Sequence, residues 1–291
     1  MPTLHRIPIR IAGIQIELTS PLSIAELGIE ERLGPFFVAN KKEKPLVSVS
    51  LFWQESAEPP APCGDLIYDP GSIWTMHREG TDCYATLRYQ ETQPQAVLQA
   101  NAGWDDLTLT EHRRSPLWQS LLNIGAGELI LRTAILCTGG LVFHASGLDD
   151  NGKGIVFVGH SGAGKSTQLE LWNQELGVIS MNDDRIAVRA NKTGAMCYGT
   201  PWGGTSDIAR NHAVPLSALV LLEQASKNAV EPLSPAVAAP QLAARAFLPY
   251  WDSTLIQRAL DNLNTLLKQV PVYRLRCRPE RAVIPLVRSV I

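Results

Sequence analysis

The sequence lacks the features that mark secreted, metal-binding and membrane-spanning proteins. It has five cysteines in 291 residues, and no two of them form a C-x-x-C pair. Widely spaced cysteines in odd number favour structural thiols over a disulfide framework or a metal site. Arg6 and Arg10 interrupt the apolar residues near the beginning, so we expect no signal peptide. The most apolar stretch, 129–143, is shorter than the roughly 20 residues of a spanning helix, and we expect a cytoplasmic protein.

An excess of charge of one sign is also lacking. Lysine and arginine number 26 against 28 aspartates and glutamates, which gives a formal net charge of -2. No basic run with interleaved aromatic residues is present, so we expect neither a nucleic-acid partner nor a membrane-surface partner. Hydrophobic residues make up 45% of the chain, enough to bury a sizeable core.

Short alternating segments dominate the first part of the chain. Residues 7–11 and 14–18 place isoleucine or leucine at every second position, which predicts half-buried strands. Proline cannot donate to a sheet ladder, so Pro8 predicts that the first strand lies at an edge. Further strands are predicted at 46–53 and 83–89. Three prolines predict a surface loop: Pro59, Pro60 and Pro62. We predict a β-rich N-terminal domain over residues 1–128.

Helical and strand patterns alternate in the remainder of the chain. Apolar spacing over 116–136 predicts a helix, with Gly125 and Gly127 as the positions at which it divides. Asn151-Gly152 predicts a tight hairpin turn. Strands are predicted at 141–148, 154–159, 178–181, 185–189, 218–222 and 272–275, and helices at 166–176 and 255–267. This alternation predicts an α/β domain, which we place at residues 129–291.

Residues 159–166 match the phosphate-binding pattern G-x-x-x-x-G-K-[ST] at every fixed position. A predicted strand precedes them and a predicted helix follows, whereas a chance glycine-rich turn needs neither. In such a loop, backbone N–H groups and the helix N-terminus surround phosphate oxygens. Lys165 is expected to reach the outer phosphates, and Ser166 to bind Mg²⁺. The predicted nucleotide-binding residues are Gly159, His160, Ser161, Gly162, Ala163, Gly164, Lys165, Ser166 and Thr167. His160 occupies a variable position of the pattern, where a purely structural role is favoured.

Two adjacent carboxylates, Asp183 and Asp184, follow the predicted strand at 178–181. In a β-α-β unit both strands end on the same side of the sheet, which predicts that Asp183 lies beside the glycine-rich loop. Paired carboxylates there can hold Mg²⁺ or accept a proton from an incoming hydroxyl. Asn-Asp-Asp is also ordinary turn chemistry.

The roles of two further segments stay open. His144 lies on the strand before the predicted hairpin, as either a structural histidine or part of the phosphate site. Residues 199–204, with Trp202, form either a substrate-side loop or a plain connection.

Three motifs taken together resemble a known family. Residues 143–147 (FHASG), the glycine-rich loop and residues 182–184 resemble the HPr kinase/phosphorylase catalytic domain. More narrowly, they look like the HPr-kinase-like proteins associated with ribosomal peptide modification. The resemblance covers roughly 129–291. It implies a P-loop kinase core of the HPr kinase and phosphoenolpyruvate-carboxykinase type, with ATP as phosphate donor and Mg²⁺ as cofactor.

The resemblance also implies roles for single residues. Asp183 is then the catalytic base, with His144 and Lys165 at the phosphates. Ser166, Asp183 and Asp184 are the metal ligands. The sequence departs from the family near Met196. The family has an acidic residue there that binds Mg²⁺, whereas this sequence has no carboxylate in that segment. Arg245 is a candidate for the family's later arginine.

The function predicted from these residues is ATP-dependent transfer of phosphate to a hydroxyl. The expected acceptor is a serine of a peptide or small protein. One alternative is a small-molecule hydroxyl kinase with Trp202 lining its pocket. The other is a nucleotide-sensing regulatory module without turnover.

Overall fold

The protein is a mixed α/β molecule with two large sheets. A computed structural model describes residues 4–39, 44–54, 61, 63–88, 95–112 and 120–291. The predicted loop at Pro59, Pro60 and Pro62 lies outside the described residues. The chain forms two compact units: Met1–Ala134 with Tyr250–Ser253, and Ile135–Pro249 with Thr254–Ile291. Across the described residues, every helix is too short or too polar to traverse a lipid bilayer.

The first unit contains an eight-stranded sheet. Its strands are β1 (His5–Ile11), β2 (Ile14–Ser20), β3 (Val47–Gln54), β4 (Asp65–Tyr68), β5 (Trp74–Glu79), β6 (Asp82–Leu87), β7 (Ala96–Ala100) and β8 (Asp106–His112). They are arranged in the order β1-β2-β3-β8-β7-β6-β5-β4. β1 therefore ends the row, as Pro8 predicted. Ala12 and Gly13 join β1 to β2 with φ values of 52° and 72°, the left-handed conformation of a two-residue hairpin turn.

The helices of the first unit are α1 (Ile24–Leu27), α2 (Glu30–Leu33) and α3 (Gly125–Ala134). Ser23 and Glu26 form a reciprocal capping box at the start of α1. The prediction of a helix over 116–136 that divides at Gly125 and Gly127 is only partly correct, and its first residues, 116–119, lie outside the described residues. Within the described residues, a 3₁₀ turn at Leu121–Asn123 precedes α3, and Gly127 lies inside the helix without dividing it. Because α3 is buried along nearly its whole length, packing tolerates glycine there.

The second unit contains the other eight-stranded sheet. Its strands are β9 (Gly140–Asp150), β10 (Lys153–Val158), β11 (Val178–Asn182), β12 (Arg185–Asn191), β13 (Gly194–Gly199), β14 (Ala213–Gln224), β15 (Ala229–Leu233) and β16 (Val272–Cys277). Its helices are α4 (Lys165–Trp172), α5 (Pro235–Ala243), α6 (Ser253–Leu267) and α7 (Val283–Arg288). Seven of the strands follow the order β10-β9-β12-β13-β14-β16-β15, and the eighth, β11, pairs with β9. β10 also pairs with β14 in parallel.

Apolar side chains of β10 alternate between two buried clusters. Val156 and Val158 pack with residues of α5 and α6, whereas Ile155 and Phe157 pack with residues of α4 and α7. Because strand side chains alternate between faces, helices cover both faces of the sheet around β10.

Strand β9 positions the loops of the candidate site. β10 pairs with one edge of β9 and β11 with the other, and both pairings are antiparallel. β10 and β11 therefore run in the same direction with β9 between them. Val158 ends β10 opposite Ala145, and Asn182 ends β11 opposite Gly147. The glycine-rich loop and the two aspartates consequently leave the sheet at the same end.

The helix predicted over 166–176 is shorter in the structure. It begins at Lys165 and ends at Trp172, while Leu176 is 95% exposed. Gly177 adopts a φ of 78° and lies against the side chain of Asn151. The predicted helix is too long at its C-terminal end because residues 173–177 turn back toward the β9–β10 hairpin.

Candidate functional site

The glycine-rich loop, residues 159–166, joins β10 to α4. Gly162 and Gly164 have φ values of 79° and 102°, which strain any residue with a Cβ atom. At Gly159 the constraint is space, since an added Cβ would lie 2.7 Å from that of Ala163. The conformation therefore depends on glycine at three positions, and α4 begins directly after the last of them, Gly164.

Lys165 is only 8% exposed and is held by three acceptors. Its ammonium group donates to His144 Nε2 at 2.9 Å and to the carbonyl oxygens of Gly159 and His160 at 3.2 Å. Burial lowers the pKa of Lys165, and the positive charge of Arg245 lowers it further, against an opposing effect of Asp184. Among the described residues no carboxylate is hydrogen-bonded to this ammonium group, although the charge of Asp184 acts on it, and a buried ammonium group of this kind favours an anionic ligand.

His144 lies on β9 and links Lys165 to Asp184. Its Nδ1 lies 2.9 Å from Asp184 Oδ1, opposite the contact of Nε2 with Lys165. Because lysine is only a donor, Nε2 must accept and Nδ1 must carry the proton. The hydrogen bonds thus fix one tautomer of the ring.

Asp184 is surrounded by positive groups. Its second oxygen is paired with the guanidinium group of Arg185. Burial by itself raises the pKa of Asp184, but the hydrogen bond from His144 and the charges of Arg185 and Lys165 outweigh it, so the net pKa is lowered. Asp184 is therefore an ionised anchor for His144.

Asp183 has a different environment, although it is the next residue. It is 4% exposed, and its two oxygens accept backbone N–H groups of Gly204 at 2.6 Å and Ser206 at 2.8 Å. A Cβ atom added at Gly204 would lie 3.1 Å from the Asp183 carboxylate and 3.0 Å from Asp184 Cβ. The segment 199–204, whose role the sequence left open, thus packs directly on the aspartates.

Sequence reasoning gave Asn182 no role, yet this residue organises both segments. It is completely buried, and its side-chain oxygen accepts the N–H groups of Asp184 at 2.8 Å and Arg185 at 2.7 Å. Its amide group donates to the carbonyl oxygens of Thr200 at 3.0 Å and Trp202 at 3.1 Å. A buried polar residue directly before the aspartates was the available signal, but its partners lie 18 and 20 residues away.

These groups meet at one cavity, which we call the first cavity, of about 560 Å³. Its lining residues are His144, Ser161, Gly162, Gly164, Lys165, Ser166, Thr167, Asp183, Asp184, Gly204 and Thr205. The fold thus brings together most of the residues that the motifs singled out. The volume falls within the range of small-molecule sites, roughly 300–1,000 Å³.

Four predicted residues do not line the first cavity: Gly159, His160, Ala163 and Trp202. The ring of His160 is hydrogen-bonded to the backbone of Ser161. Trp202 is 4% exposed. All five cysteines are free, and the described part of the chain holds no group of three or more metal-ligating His, Cys, Asp or Glu side chains.

Comparisons with known proteins give a matching family model and a weak likeness to solved structures. No curated protein matches the chain. A solved structure, the Hpr(Ser) kinase/phosphatase from Coxiella burnetii, is 14% identical and covers 51% of this chain and 87% of its own, with a TM-score of 0.31. The model of the SynChlorMet cassette protein ScmC family matches residues 119–280, more than half of the chain. On that match, this chain belongs to the ScmC family of SynChlorMet cassette proteins.

Proposed function

We propose that this chain is an ATP-dependent kinase that requires Mg²⁺ and transfers the γ-phosphate to a hydroxyl, a serine of a peptide or small protein. The observation that carries the proposal is the first cavity. There the glycine-rich loop, a buried lysine, a histidine of fixed tautomer and two carboxylates meet. Phosphoryl transfer needs mainly positioning and neutralisation of negative charge, and these groups supply both.

The nucleotide phosphates are assigned to the glycine-rich loop and Thr167. The left-handed backbone at Gly162 and Gly164 turns N–H groups inward, and α4 adds the positive end of its dipole. We therefore assign the second unit to a P-loop kinase core of the HPr kinase and phosphoenolpyruvate-carboxykinase type, and the first unit to a separate β-rich domain.

Mg²⁺ is assigned to Ser166, Asp183 and Asp184. Magnesium commonly binds one or two carboxylates together with substrate phosphates and water, so two acids and a hydroxyl suit it without a third acidic ligand. When bound, the ion offsets charge on the phosphates. Asp184 already has His144 and Arg185 as partners, whereas Asp183 has only backbone N–H partners in the described residues, which favours Asp183 for direct contact.

In the proposed reaction the acceptor oxygen forms a bond to the γ-phosphorus, and the bond from phosphorus to the bridging oxygen breaks. The electron pair leaves with ADP, and the hydroxyl proton passes to Asp183. Lys165 stabilises the charge on the transferred group, with His144 holding the ammonium in place.

The proposal is tested with Asp183→Asn, which keeps the shape of the side chain and one of the two oxygens that accept the N–H groups of Gly204 and Ser206, but loses the base. We expect phosphate transfer from labelled ATP to short seryl peptides to fall by about 10²–10⁴-fold, while affinity for Mg²⁺-ATP changes only a few-fold. Asp261→Asn on the exposed face of α6 is the matched control and should behave as wild type. Unchanged transfer in the Asp183 variant would show that Asp183 is not the catalytic base. If the wild-type chain binds no Mg²⁺-nucleotide, the proposed function is wrong.

A nucleotide-sensing module without turnover is the second candidate. It is favoured by the acid-free strand β13 around Met196 and by the small number of acids near the loop. Tight nucleotide binding without hydrolysis or transfer, unaffected by Asp183→Asn, selects this candidate.

A further inference from the structure

A tight turn at residues 204–207 lies against the aspartates of the first cavity. Its backbone is closed by the hydrogen bond from the Asp207 N–H to the Gly204 carbonyl at 3.1 Å, and Asp207 has a left-handed φ of 48°. Thr205 and Ser206 therefore occupy the two central positions of the turn. The turn thus carries two hydroxyl groups at its tip.

The carboxylate of Asp183 holds this turn with both of its oxygens. Oδ1 accepts the N–H of Gly204 at 2.6 Å, and Oδ2 accepts the N–H of Ser206 at 2.8 Å. These two donors flank Thr205 on either side. Glycine permits the close approach, since a Cβ atom added at Gly203 or Gly204 would lie 3.2 Å or 3.1 Å from an Asp183 oxygen. Thr205 is therefore fixed beside the carboxylate that we propose as the catalytic base.

The chain is anchored to the sheet on both sides of the turn. Before the turn, the buried amide group of Asn182 donates to the carbonyl oxygens of Thr200 at 3.0 Å and Trp202 at 3.1 Å. After the turn, the N–H of Arg210 donates to the carbonyl oxygen of Met181 at 2.9 Å. Because Met181 and Asn182 belong to β11, the position of the turn relative to the end of β11 is defined.

Thr205 also lines the first cavity, together with Lys165, Ser166 and Asp183, whereas Ser206 does not. Thr205 is exposed, and its hydroxyl makes no hydrogen bond within the residues that the structure describes. The hydroxyl is therefore available for a reaction in the cavity.

Three other residues with hydroxyl groups line the first cavity: Ser161, Ser166 and Thr167. All three belong to the glycine-rich loop or to the first turn of α4, the elements that we assign to the nucleotide phosphates. In phosphoryl transfer the attacking and leaving oxygens lie roughly in line, on opposite sides of the phosphorus. Thr205 comes from a different segment and lies beside Asp183, so its hydroxyl suits the position of the attacking oxygen.

We infer that Thr205 is a phosphorylation site, and that the chain phosphorylates it in cis from Mg²⁺-ATP bound in the first cavity. This inference rests on the proposed kinase function and adds an acceptor within the protein. The Thr205 Oγ1 forms a bond to the γ-phosphorus, and the bond from phosphorus to the bridging oxygen breaks. The electron pair leaves with ADP, and the hydroxyl proton passes to Asp183. Because nucleotide and acceptor are held by one chain, the step is unimolecular.

The test incubates the full chain with Mg²⁺-ATP and follows its intact mass over time. Trypsin then releases the peptide 193–210, which begins after Lys192 and ends at Arg210, and fragmentation locates the phosphate. We expect a single phosphate group on Thr205, gained at a rate that does not change when the chain is diluted. Thr205→Val should lose this phosphate, whereas Thr205→Ser should retain it.

Ser206→Ala is the matched control. It removes the neighbouring hydroxyl and keeps the backbone N–H that Asp183 accepts, so it should gain the phosphate as the wild type does. A second control mixes the wild-type chain with an isotope-labelled Lys165→Met chain. The labelled chain should stay almost unphosphorylated, because the transfer occurs within one chain.

Four outcomes overturn the inference: a phosphate on a residue other than Thr205, retention of the phosphate in Thr205→Val, its loss in Ser206→Ala, or rapid transfer to the labelled Lys165→Met chain. If seryl peptides are phosphorylated while the chain itself is not, the inference is wrong and the proposed function stands. If the wild-type chain binds no Mg²⁺-nucleotide, the proposed function is wrong, and the inference is wrong with it.

Discussion

Two acids, one in each unit, have opposite electrostatic environments. In the first unit, Glu111 on β8 accepts hydrogen bonds from the Ser120 hydroxyl at 2.9 Å and the Leu121 N–H at 2.6 Å. Burial raises its pKa to about 8 despite these bonds. In the second unit, Asp184 is half-buried, and the hydrogen bond from His144 and the charge of Arg185 lower its pKa. At neutral pH the first acid is mainly protonated and the second is ionised.

The difference shows where charged groups are located in the fold. Glu111 is a neutral hydrogen-bonding group that fixes the start of the turn at residue 121. Around Asp184, by contrast, a lysine, a histidine and an arginine meet at a cavity. Buried charges destabilise a fold unless they are compensated, and charges gathered at a cavity are more typical of a binding site.

The largest effect is expected from removing the central cation of the second unit. In Lys165→Met the long side chain is kept and the charge is lost. Transfer should fall by roughly 10²–10³-fold, because stabilisation of charge in the transition state is removed. Folding should be unharmed, since burial already disfavours this ammonium group. Steady-state kinetics and urea unfolding measure the two effects.

Lys192→Met, in an exposed turn, is the control for the lysine variant and should match the wild type in both assays. If Lys165→Met instead unfolds the protein and transfer per folded molecule is kept, then the cations of the second unit serve stability. The contrast between the two units would then be broken.

A smaller effect, on stability, is expected from Asn182→Ala. Four backbone groups would lose their partner in a fully buried position, at a cost of about 2–4 kcal/mol in the free energy of unfolding. Urea denaturation measures this cost. Asn191→Ala, an exposed residue at the end of β12, should lose about 1 kcal/mol or less. Equal losses would show that Asn182 does not hold the two segments together.

The smallest effect is expected in the first unit, at Glu111. Its raised pKa means that its stabilising contribution is complete below the unfolded pKa of about 4.3 and is lost as the pH rises toward about 8. Between pH 5 and pH 8 the free energy of unfolding should therefore fall by on the order of 1–3 kcal/mol. Glu111→Gln should flatten this dependence. Exposed Glu79→Gln is the control, and an unchanged pH profile in Glu111→Gln contradicts the assignment.

The strands that were predicted from the sequence are present in the structure, but β4, β5, β7, β8, β13 and β15 were not predicted, and helix ends were placed less accurately. Alternation placed β1, β2 and the β9–β10 hairpin correctly, because side-chain period and turn chemistry are local properties. The pattern gave no sign that α4 ends at Trp172, since residues 174–176 are helix-forming and the first glycine after the helix is Gly177. In the structure the division between the two compact units falls after Ala134, and Tyr250–Ser253 belong to the first unit. The boundary predicted from the sequence lies after residue 128.

The sequence by itself determined the glycine-rich loop and the acids that follow β11, because glycine conformation and residue spacing are local properties of neighbouring residues. Only the tertiary structure decided that Asp183 is held by residues 204 and 206, that Asp184 pairs with His144, and that Trp202 is buried away from the cavity. These contacts depend on strand pairing around β9, which no local pattern encodes.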